Sequence, residues 1–222
     1  MAVLGLDEHD DGVVLVRWDD GENRFDLTSV GEWHAVLDDL EGRSGPLAVV
    51  ITGAGKFFSN GLDLGRFSEA PHEAGPIVDG VHRLFGRLLL LPAWTVFAIN
   101  GHAFAAGAMM TATGDARLMR TERGYWCVPE VDLGLPLTTQ MTAVLSARLP
   151  APAVARCMLT GGRLDAPSAH RMGIVDEAVP AEDLLERAVG QAAPMAAKDR
   201  SVIANHKRQL FGAAARTCGI EP

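Results

Sequence analysis

Residues 47–64 read LAVVITGAGKFFSNGLDL, and this stretch decides how the rest of the chain is organised. It starts as an apolar run of strand type, passes through the turn Gly53-Ala54-Gly55, and reopens before a helical segment begins. Gly61 beside Asn60 frees the backbone from Cβ constraints, so amide groups can turn toward a ligand instead of pairing in a ladder. Free N–H groups at a helix start suit an oxyanion or a phosphate. The stretch therefore predicts either a ligand-binding junction or an ordinary strand, loop and helix with turn residues.

Length and composition indicate one ordered globular domain. The chain has 222 residues, of which 48% are hydrophobic and 22% charged, and no low-complexity tract interrupts it. Its net charge of −8 and the lack of a Lys/Arg stripe with interleaved aromatic residues disfavour a nucleic-acid partner. The three cysteines lie far apart without a CxxC pair, which favours reduced thiols and argues against a disulfide or a metal site.

The sequence also predicts a cytoplasmic protein without a membrane partner. Residues 1–11 have neither a basic start nor an apolar core of signal-peptide length, so export is not expected. The longest apolar runs, 88–91 and 103–110, are far too short to span a bilayer.

The hydrophobic periodicity predicts alternating strands and helices, followed by a mainly helical final part. The strands are predicted at 13–18, 47–51, 94–99, 115–119, 125–128 and 174–179. The helices are predicted from Thr28 or Ser29 to about 42, and at 81–91, 102–113, 138–149, 151–159, 167–172, 181–197 and 201–215. Residues 69–80 are predicted to be a mobile surface segment, and residues 129–136 a loop bracketed by prolines.

Two strand–turn–helix junctions carry the functional hypothesis. They are GKFFSNGLDL at 55–64 and INGHAFAAGAMM at 99–110, and each aims backbone amides at a helix start. A lone carboxylate, Glu130, follows the next strands. Two converging amides are the minimum for an oxyanion hole, and a base opposite them gives the components of enolate chemistry.

In these motifs the sequence closely resembles the crotonase superfamily, which contains the enoyl-CoA hydratases and isomerases. FFSNGLDL resembles the family's F-x-x-G-x-D-L box, INGHAFAAG its second oxyanion segment, and PEVDLGLP its base loop. LTGGRLDAPSAHRMGIVDEAV is similar to the family's L-T-G-x-x-x-x-A-x-x-A-x-x-x-G-[IL]-V-D run. GKFFSNGLDL together with VPEVDLGL looks most like the small Δ3,Δ2-enoyl-CoA isomerases, which keep a single glutamate.

The resemblance implies an α/β fold, a spiral of ββα units with a C-terminal helical region. It implies one domain over 1–222, with the spiral at 1–137 and the helical part at 138–222, assembled as a homotrimer or hexamer. The substrate would be an acyl-CoA thioester of fatty acid metabolism, with no separate cofactor and no metal. The family's site then falls on Glu130 as the base and on the backbone N–H groups of Asn60 and Ala106 as the oxyanion hole. The expected substrate and CoA contacts are Arg24, Phe25, Ser59, Gly61, Leu62, Asp63, Ala105 and Pro129.

Two positions of the resemblance narrow the expected chemistry. The first glutamate of family hydratases corresponds to Met109, which holds no proton, and the additional aspartate of dienoyl isomerases corresponds to Thr138. A double-bond shift from the 3,4 to the 2,3 position needs only one base and is therefore the leading hypothesis. Hydratase activity, decarboxylation or thioester hydrolysis, and a non-catalytic acyl-CoA binding protein stay open as alternatives.

Several candidate residues have a plainer structural interpretation. Asp63 suits a helix start that binds local backbone, and Asp132 suits a solvated loop charge, although it could also raise the pKa of Glu130. His82 and His102 could act as bases, but a single histidine on such a helix is more often a satisfied core residue. Glu130 could itself be a cap on a turn, and only the family resemblance favours catalysis.

Overall fold

The computed structural model describes residues 3–9 and 11–222, which form an α/β fold. The strands are β1 (Leu4–His9), β2 (Val13–Trp18), β3 (Arg24–Phe25), β4 (Ala48–Gly53), β5 (Phe57–Ser59), β6 (Gly61–Leu62), β7 (Trp94–Ile99), β8 (His102–Phe104), β9 (Ala116–Arg120), β10 (Trp126–Cys127) and β11 (Glu177–Val179). The helices are α1 (Leu27–Gly42), α2 (Leu64–Glu69), α3 (Ala74–Leu90), α4 (Ala106–Ala112), α5 (Glu130–Leu133), α6 (Thr139–Arg148), α7 (Ala151–Thr160), α8 (Ala166–Arg171), α9 (Leu184–Ala196) and α10 (Arg200–Thr217).

The strands form one large sheet and two small ones. The large sheet has the order β1-β2-β4-β7-β9-β11, with β1 antiparallel to β2 and the other neighbours parallel. The small sheets have the orders β10-β8-β5 and β3-β6. A strand of the large sheet is repeatedly followed by a strand of a small sheet and then by a helix, as in β2-β3-α1, β7-β8-α4 and β9-β10-α5. The predicted spiral of ββα units is therefore confirmed.

Buried aromatic and aliphatic side chains fix this arrangement. Trp18 packs on Phe25 and Trp33, with ring centroids 4.8 and 5.5 Å apart, so β2, β3 and α1 share one core. α9 covers the opposite face of the large sheet with Leu184 and a row of alanines. The last helix, α10, packs against α3 and α6. None of the helices in the described part of the chain is long and apolar enough to cross a membrane.

Helix α1 begins two or three residues earlier than a cap at Thr28 or Ser29 predicts. Its N-cap is Asp26, whose carboxylate accepts the Ser29 N–H at 2.8 Å, while the Ser29 hydroxyl accepts the Asp26 N–H at 2.9 Å. This reciprocal pair is a capping box in which serine, rather than glutamate, occupies the third helical position. The sequence pattern was therefore right about the helix and wrong about its cap.

Residues 69–80 do not form the predicted mobile segment. A 3-10 turn covers Pro71–Glu73, and α3 begins at Ala74. Pro76 lies in the first turn of α3, where a missing N–H costs no intrahelical hydrogen bond, and Ile77 is fully buried. The prolines and glycines here mark a helix start rather than a loop.

Three further boundaries differ from the predictions. Residues 102–104 form strand β8 instead of a helix, because β5 and β10 flank them and take their backbone groups. Residues 130–133 of the predicted loop form the one-turn helix α5, which ends at Gly134 in the left-handed conformation. The sequence does not predict strand β1, because its second half, Asp7, Glu8 and His9, is polar and exposed at an edge that pairs only with β2.

Candidate active site

A cavity of about 530 Å³ lies where α4, α5 and β6 meet the ends of α2, α3 and α6. Its polar lining is provided by Arg24, Asn60, Cys127, Glu130, Thr138 and Arg163. Its other lining residues are Leu62, Leu64, Phe67, Val78, Phe104, Ala105, Ala106, Pro129, Leu133, Leu135, Pro136 and Met141. A mostly apolar wall with a few polar groups is typical of small-molecule sites. A depression of about 690 Å³ over β11 and α9 is more polar and lacks these groups.

Glu130 is the only carboxylic acid among the described residues that line this cavity. It is the first residue of α5 and follows the buried residues Trp126, Cys127 and Val128. Its Oε2 atom is buried and has no hydrogen-bond partner within the described chain. Burial raises the pKa of the Glu130 carboxyl, and Asp132 is not among the causes of the shift. A carboxyl group with raised pKa and an unused oxygen is suited to accept a proton from a bound molecule.

Asp132 has the plainer of its two predicted roles. It is exposed on α5, and its carboxylate lies beside the backbone of Gly161 rather than in the cavity. Desolvation alone, rather than this neighbouring charge, accounts for the raised pKa of Glu130.

Asn60 does not supply the expected oxyanion donor. Its backbone N–H donates to the carbonyl of Glu22 at 2.9 Å, so this N–H already has a partner. The side chain of Asn60 donates to the Glu22 carboxylate at 2.8 Å. Asn60 therefore lines the cavity through other atoms. The prediction that its N–H group is free for a ligand is wrong.

Leu62 provides the free N–H in this segment instead. β6 pairs with β3 in parallel, and the Asp63 N–H donates to the Phe25 carbonyl at 3.0 Å. Successive N–H groups of an extended strand point to opposite sides, so the Leu62 N–H points away from β3. Leu62 also lines the cavity. The N–H group of this segment that faces away from β3 thus lies two residues further along the chain than Asn60.

Ala106 is the first residue of α4, four residues after the start that the sequence predicts for this helix. No side chain caps this helix, and the first N–H groups of a helix have no intrahelical acceptor. The preceding residue, Ala105, has φ 51° and ψ −125°, a conformation that alanine rarely adopts. This turn aims the start of α4 into the cavity next to Glu130 and Leu62.

Two glycines allow β5, β6 and α4 to approach closely. Gly61 has φ 80°, and a Cβ there would lie 2.9 Å from the Ala105 Cβ and 3.0 Å from the Phe104 carbonyl oxygen. A Cβ at Gly107 would lie 2.6 Å from the Ser59 side chain. A side chain at either position would push the two junctions apart, so these glycines hold the Leu62 and Ala106 backbones together.

Met109 lies on α4, at the position that the family resemblance assigns to the first glutamate of hydratases. Its side chain is fully buried in the core, in the first turns of α4 beyond Ala106. A thioether carries no exchangeable proton, so this side chain can neither give nor take one.

The remaining expected contacts divide into two groups. Arg24, Ala105 and Pro129 line the cavity. Phe25 is fully buried against Trp18, and the buried Ser59 hydroxyl donates to the Asn23 carbonyl at 2.7 Å. Neither side chain reaches the cavity, so both expected contacts are wrong.

Asp63 has the structural role that the sequence favours. It is the N-cap of α2, and its carboxylate accepts the Gly65 and Arg66 N–H groups at 3.0 and 3.4 Å. It also lies 3.8 Å from the Arg24 guanidinium. It is therefore a helix cap and a neighbour of the site, not a lining residue.

Neither histidine candidate lines the cavity. His102 stacks against Phe57, Phe104 and Tyr125 with ring centroids 5.0–5.7 Å apart. Burial, helped by nearby cations, lowers the pKa of His102. His82 lies behind Thr138, with its Nε2 atom 3.0 Å from the Thr138 hydroxyl oxygen.

The far wall of the cavity was missed by the sequence predictions. Leu64, Phe67, Val78, Leu135 and Met141 come from α2, α3, the segment after α5, and α6. Apolar residues in amphipathic helices look alike in sequence whether they face the core or a ligand. Only their convergence in space distinguishes this wall from the ordinary core.

Comparison with protein families and relatives adds independent findings. The family model described as enoyl-CoA hydratase/isomerase matches residues 8–218. Enoyl-CoA delta isomerase 3 of Arabidopsis thaliana is 33% identical over 216 residues, covering 93% of this chain and 91% of that protein. The peroxisomal enoyl-CoA delta isomerase 2 of the same plant is 32% identical, covering 97% of this chain and 93% of that protein.

Solved structures agree in fold over almost the whole chain. The crystal structure of an enoyl-CoA hydratase from Mycobacterium ulcerans has a TM-score of 0.89 and is 26% identical. The alignment covers 98% of this chain and 95% of that one.

Proposed function

This chain belongs to the enoyl-CoA hydratase/isomerase family, and from that premise we propose that it converts 3-enoyl-CoA thioesters into 2-enoyl-CoA thioesters. The observation that carries the proposal is the single carboxylic acid among the described lining residues, buried and unpartnered at Oε2, in the same cavity as the backbone of Leu62 and Ala106. The similarity to enoyl-CoA delta isomerases supports the same chemistry.

In the proposed reaction, Glu130 moves one proton between two carbons of the substrate. Its carboxylate removes a proton from the carbon between the thioester carbonyl and the double bond. The electron pair shifts through the carbonyl, giving a dienolate with its negative charge on the thioester oxygen. Glu130, now protonated, returns the proton two carbons further along, and the double bond becomes conjugated with the carbonyl. No net proton is consumed, so one acid–base group suffices.

The N–H groups of Leu62 and Ala106 are proposed to bind the thioester oxygen. Both residues line the cavity with Glu130, and the directions of their N–H groups follow from β6 pairing and from the start of α4. These donors stabilise the dienolate more than the neutral thioester, because hydrogen bonds to charged acceptors are stronger. Burial raises the pKa of Glu130 and so makes its carboxylate a stronger base. The two donors lower the energy of the dienolate, and both effects favour proton transfer from the carbon to Glu130.

The experiment that tests this function compares two substrates with the wild-type protein. A 3-enoyl-CoA should be isomerised, whereas a 2-enoyl-CoA should yield little 3-hydroxyacyl-CoA. Hydration needs a second group to handle the proton of the attacking water, and Met109 cannot provide it. Both products can be separated by liquid chromatography and mass spectrometry. Efficient hydration, or no isomerisation at all, would contradict the proposal.

Arg24 is proposed to contribute to binding of the CoA portion. It lines the cavity, but Glu22 accepts from its Nε atom at 2.9 Å, and this hydrogen bond lowers the pKa of the Glu22 carboxyl. The local carboxylate offsets part of the guanidinium charge, so the attraction to a phosphate is weaker than that of a free arginine.

Arg24→Ala is therefore expected to raise KM roughly two- to fivefold and to leave kcat nearly unchanged. The physical reason is that a contact remote from the reacting carbons binds substrate and transition state equally. Arg208→Ala, which removes an exposed arginine of α10, is the matched control. A large fall in kcat with KM unchanged would rule out a role in binding alone.

A further inference from the structure

Thr138 is a polar residue of the cavity wall that has apolar lining residues as neighbours. It lines the cavity together with Val78, Leu135 and Met141. Thr138 is also the N-cap of α6, and its hydroxyl oxygen accepts the Met141 N–H at 3.2 Å. The hydroxyl is thus fixed by the helix start and cannot rotate away from the cavity wall without losing this cap.

A buried histidine stands directly behind this hydroxyl. His82 follows Val78 by one turn of α3, so both side chains lie on the same face of that helix. Only 6% of His82 is exposed, and its Nε2 atom lies 3.0 Å from the Thr138 Oγ1. Burial lowers the pKa of His82 and so favours the neutral ring, in which Nε2 can either accept or donate.

The hydrogen bond between Thr138 and His82 can run in either direction. In the first, the Thr138 hydroxyl donates to Nε2, and the pair is satisfied without a ligand. In the second, Nε2–H donates to the Thr138 oxygen, and the hydroxyl hydrogen is free to donate into the cavity. The two arrangements differ in one hydroxyl rotation and in the tautomer of a neutral ring, whose hydrogen lies on Nδ1 in the first and on Nε2 in the second.

We infer that Thr138 and His82 form a polar subsite that favours acyl groups carrying a hydrogen-bonding oxygen, such as a hydroxyl or keto group, beyond the reacting carbons. An unsubstituted chain is still accepted, because the pair satisfies itself in the first arrangement. An oxygenated chain gains one hydrogen bond in the second. The inference deepens the proposed function and rests on it only in assuming that the cavity holds the acyl chain.

The test measures binding rather than turnover. Calorimetric titration of the wild-type protein would use a saturated medium-chain acyl-CoA and length-matched hydroxyacyl-CoA thioesters, with the hydroxyl moved one carbon at a time. The readout is the ratio of the dissociation constants of the plain and the best hydroxylated ligand. Thr138→Val should lower the preference for the hydroxylated ligand roughly three- to tenfold, the value of one hydrogen bond between neutral groups.

Matched variants separate this role from a structural one. Thr138→Ser keeps the hydroxyl and the helix cap and should restore the ratio, and Thr139→Val removes an exposed hydroxyl next to it and should leave the ratio unchanged. His82→Leu leaves the cap intact but leaves the Thr138 hydroxyl without a partner when a plain chain is bound, so it should raise the ratio. His82→Gln should return the ratio toward the wild-type value, because the glutamine amide can replace Nε2.

The outcomes for the two proposals are distinguishable. Tight binding of both ligands with the same ratio in wild type, Thr138→Val and His82→Leu, at every hydroxyl position, would overturn the subsite and leave the isomerase proposal intact. Failure of the wild type to bind any of the thioesters would overturn the proposed function and the subsite with it.

Discussion

Glu130→Gln is expected to lower isomerase turnover roughly a hundred- to ten-thousandfold while acyl-CoA binding persists. Glutamine keeps the size and hydrogen-bonding capacity of the side chain but cannot accept a proton from carbon. Among the described residues that line the cavity, no other carboxylic acid could take over the proton transfer. Single-turnover assays with a 3-enoyl-CoA, together with titration of an unreactive acyl-CoA, would measure both effects.

The matched control is Asp132→Asn, which neutralises an exposed carboxylate two residues away on α5. It should leave turnover nearly unchanged, since this group lies outside the cavity. Isomerisation that persists in Glu130→Gln, or an equal loss in Asp132→Asn, would contradict a single-base mechanism.

The buried position of Glu130 adds two pH-dependent readouts to the same variant. The carboxyl is active when ionised, and burial raises its pKa, so wild-type activity should increase with pH through that raised value. Stability changes in the opposite direction. Folding becomes less favourable as the pH rises from the ordinary glutamate value through the raised one, because the fold disfavours the ionised form. Glu130→Gln should therefore be at least as stable as wild type at neutral pH. A thermal unfolding measurement with this result would show that the loss of activity is not caused by unfolding.

The sequence predicts the parts of this site that depend on local pattern. Gly61 and the small residues after Asn100 mark two tight junctions, although the helix at the second junction starts at Ala106 rather than at residue 102. Glu130 was identified through a motif resemblance, and no local physical pattern distinguishes it from a cap on a turn. Its burial depends on the cavity walls that α4 and the segment after α5 provide.

The proposed oxyanion donor differs from the one that the sequence predicts for a non-local reason. Which N–H group of a short strand faces the cavity depends on its partner strand, and β6 pairs with Arg24–Phe25, which lie far away in sequence. The pairing directs the Asp63 N–H to Phe25 and leaves the Leu62 N–H free on the other side. Asn60, the expected donor, is engaged by Glu22. A motif locates the segment, but only the strand pairing identifies the atom.

Deleting the Ala106 N–H is expected to lower kcat/KM roughly a hundred- to thousandfold, the usual cost of one oxyanion donor. Proline is the direct way to remove this donor, and the first position of a helix tolerates proline well. The preceding residue is the obstacle, because the proline ring collides with the Cβ of the residue before it, and Ala105 already has φ 51°. The substitution should therefore be made in an Ala105→Gly background, in which no Cβ is present and positive φ is unstrained.

The role of the Ala106 N–H is tested by comparing kcat/KM of the single variant Ala105→Gly with that of the double variant Ala105→Gly, Ala106→Pro. The single variant should retain turnover and be no less stable than wild type, whereas the double variant should lose the catalysis that depends on the dienolate. Thr139→Pro, at the first position of α6, controls for the general effect of proline at a helix start. Exchange of the protons next to the thioester carbonyl of a saturated acyl-CoA in deuterated water, followed by NMR, reports the same dienolate without requiring a double-bond shift. Equal exchange rates in the single and double variants, with both folded by circular dichroism, would show that the Ala106 N–H does not bind the thioester oxygen.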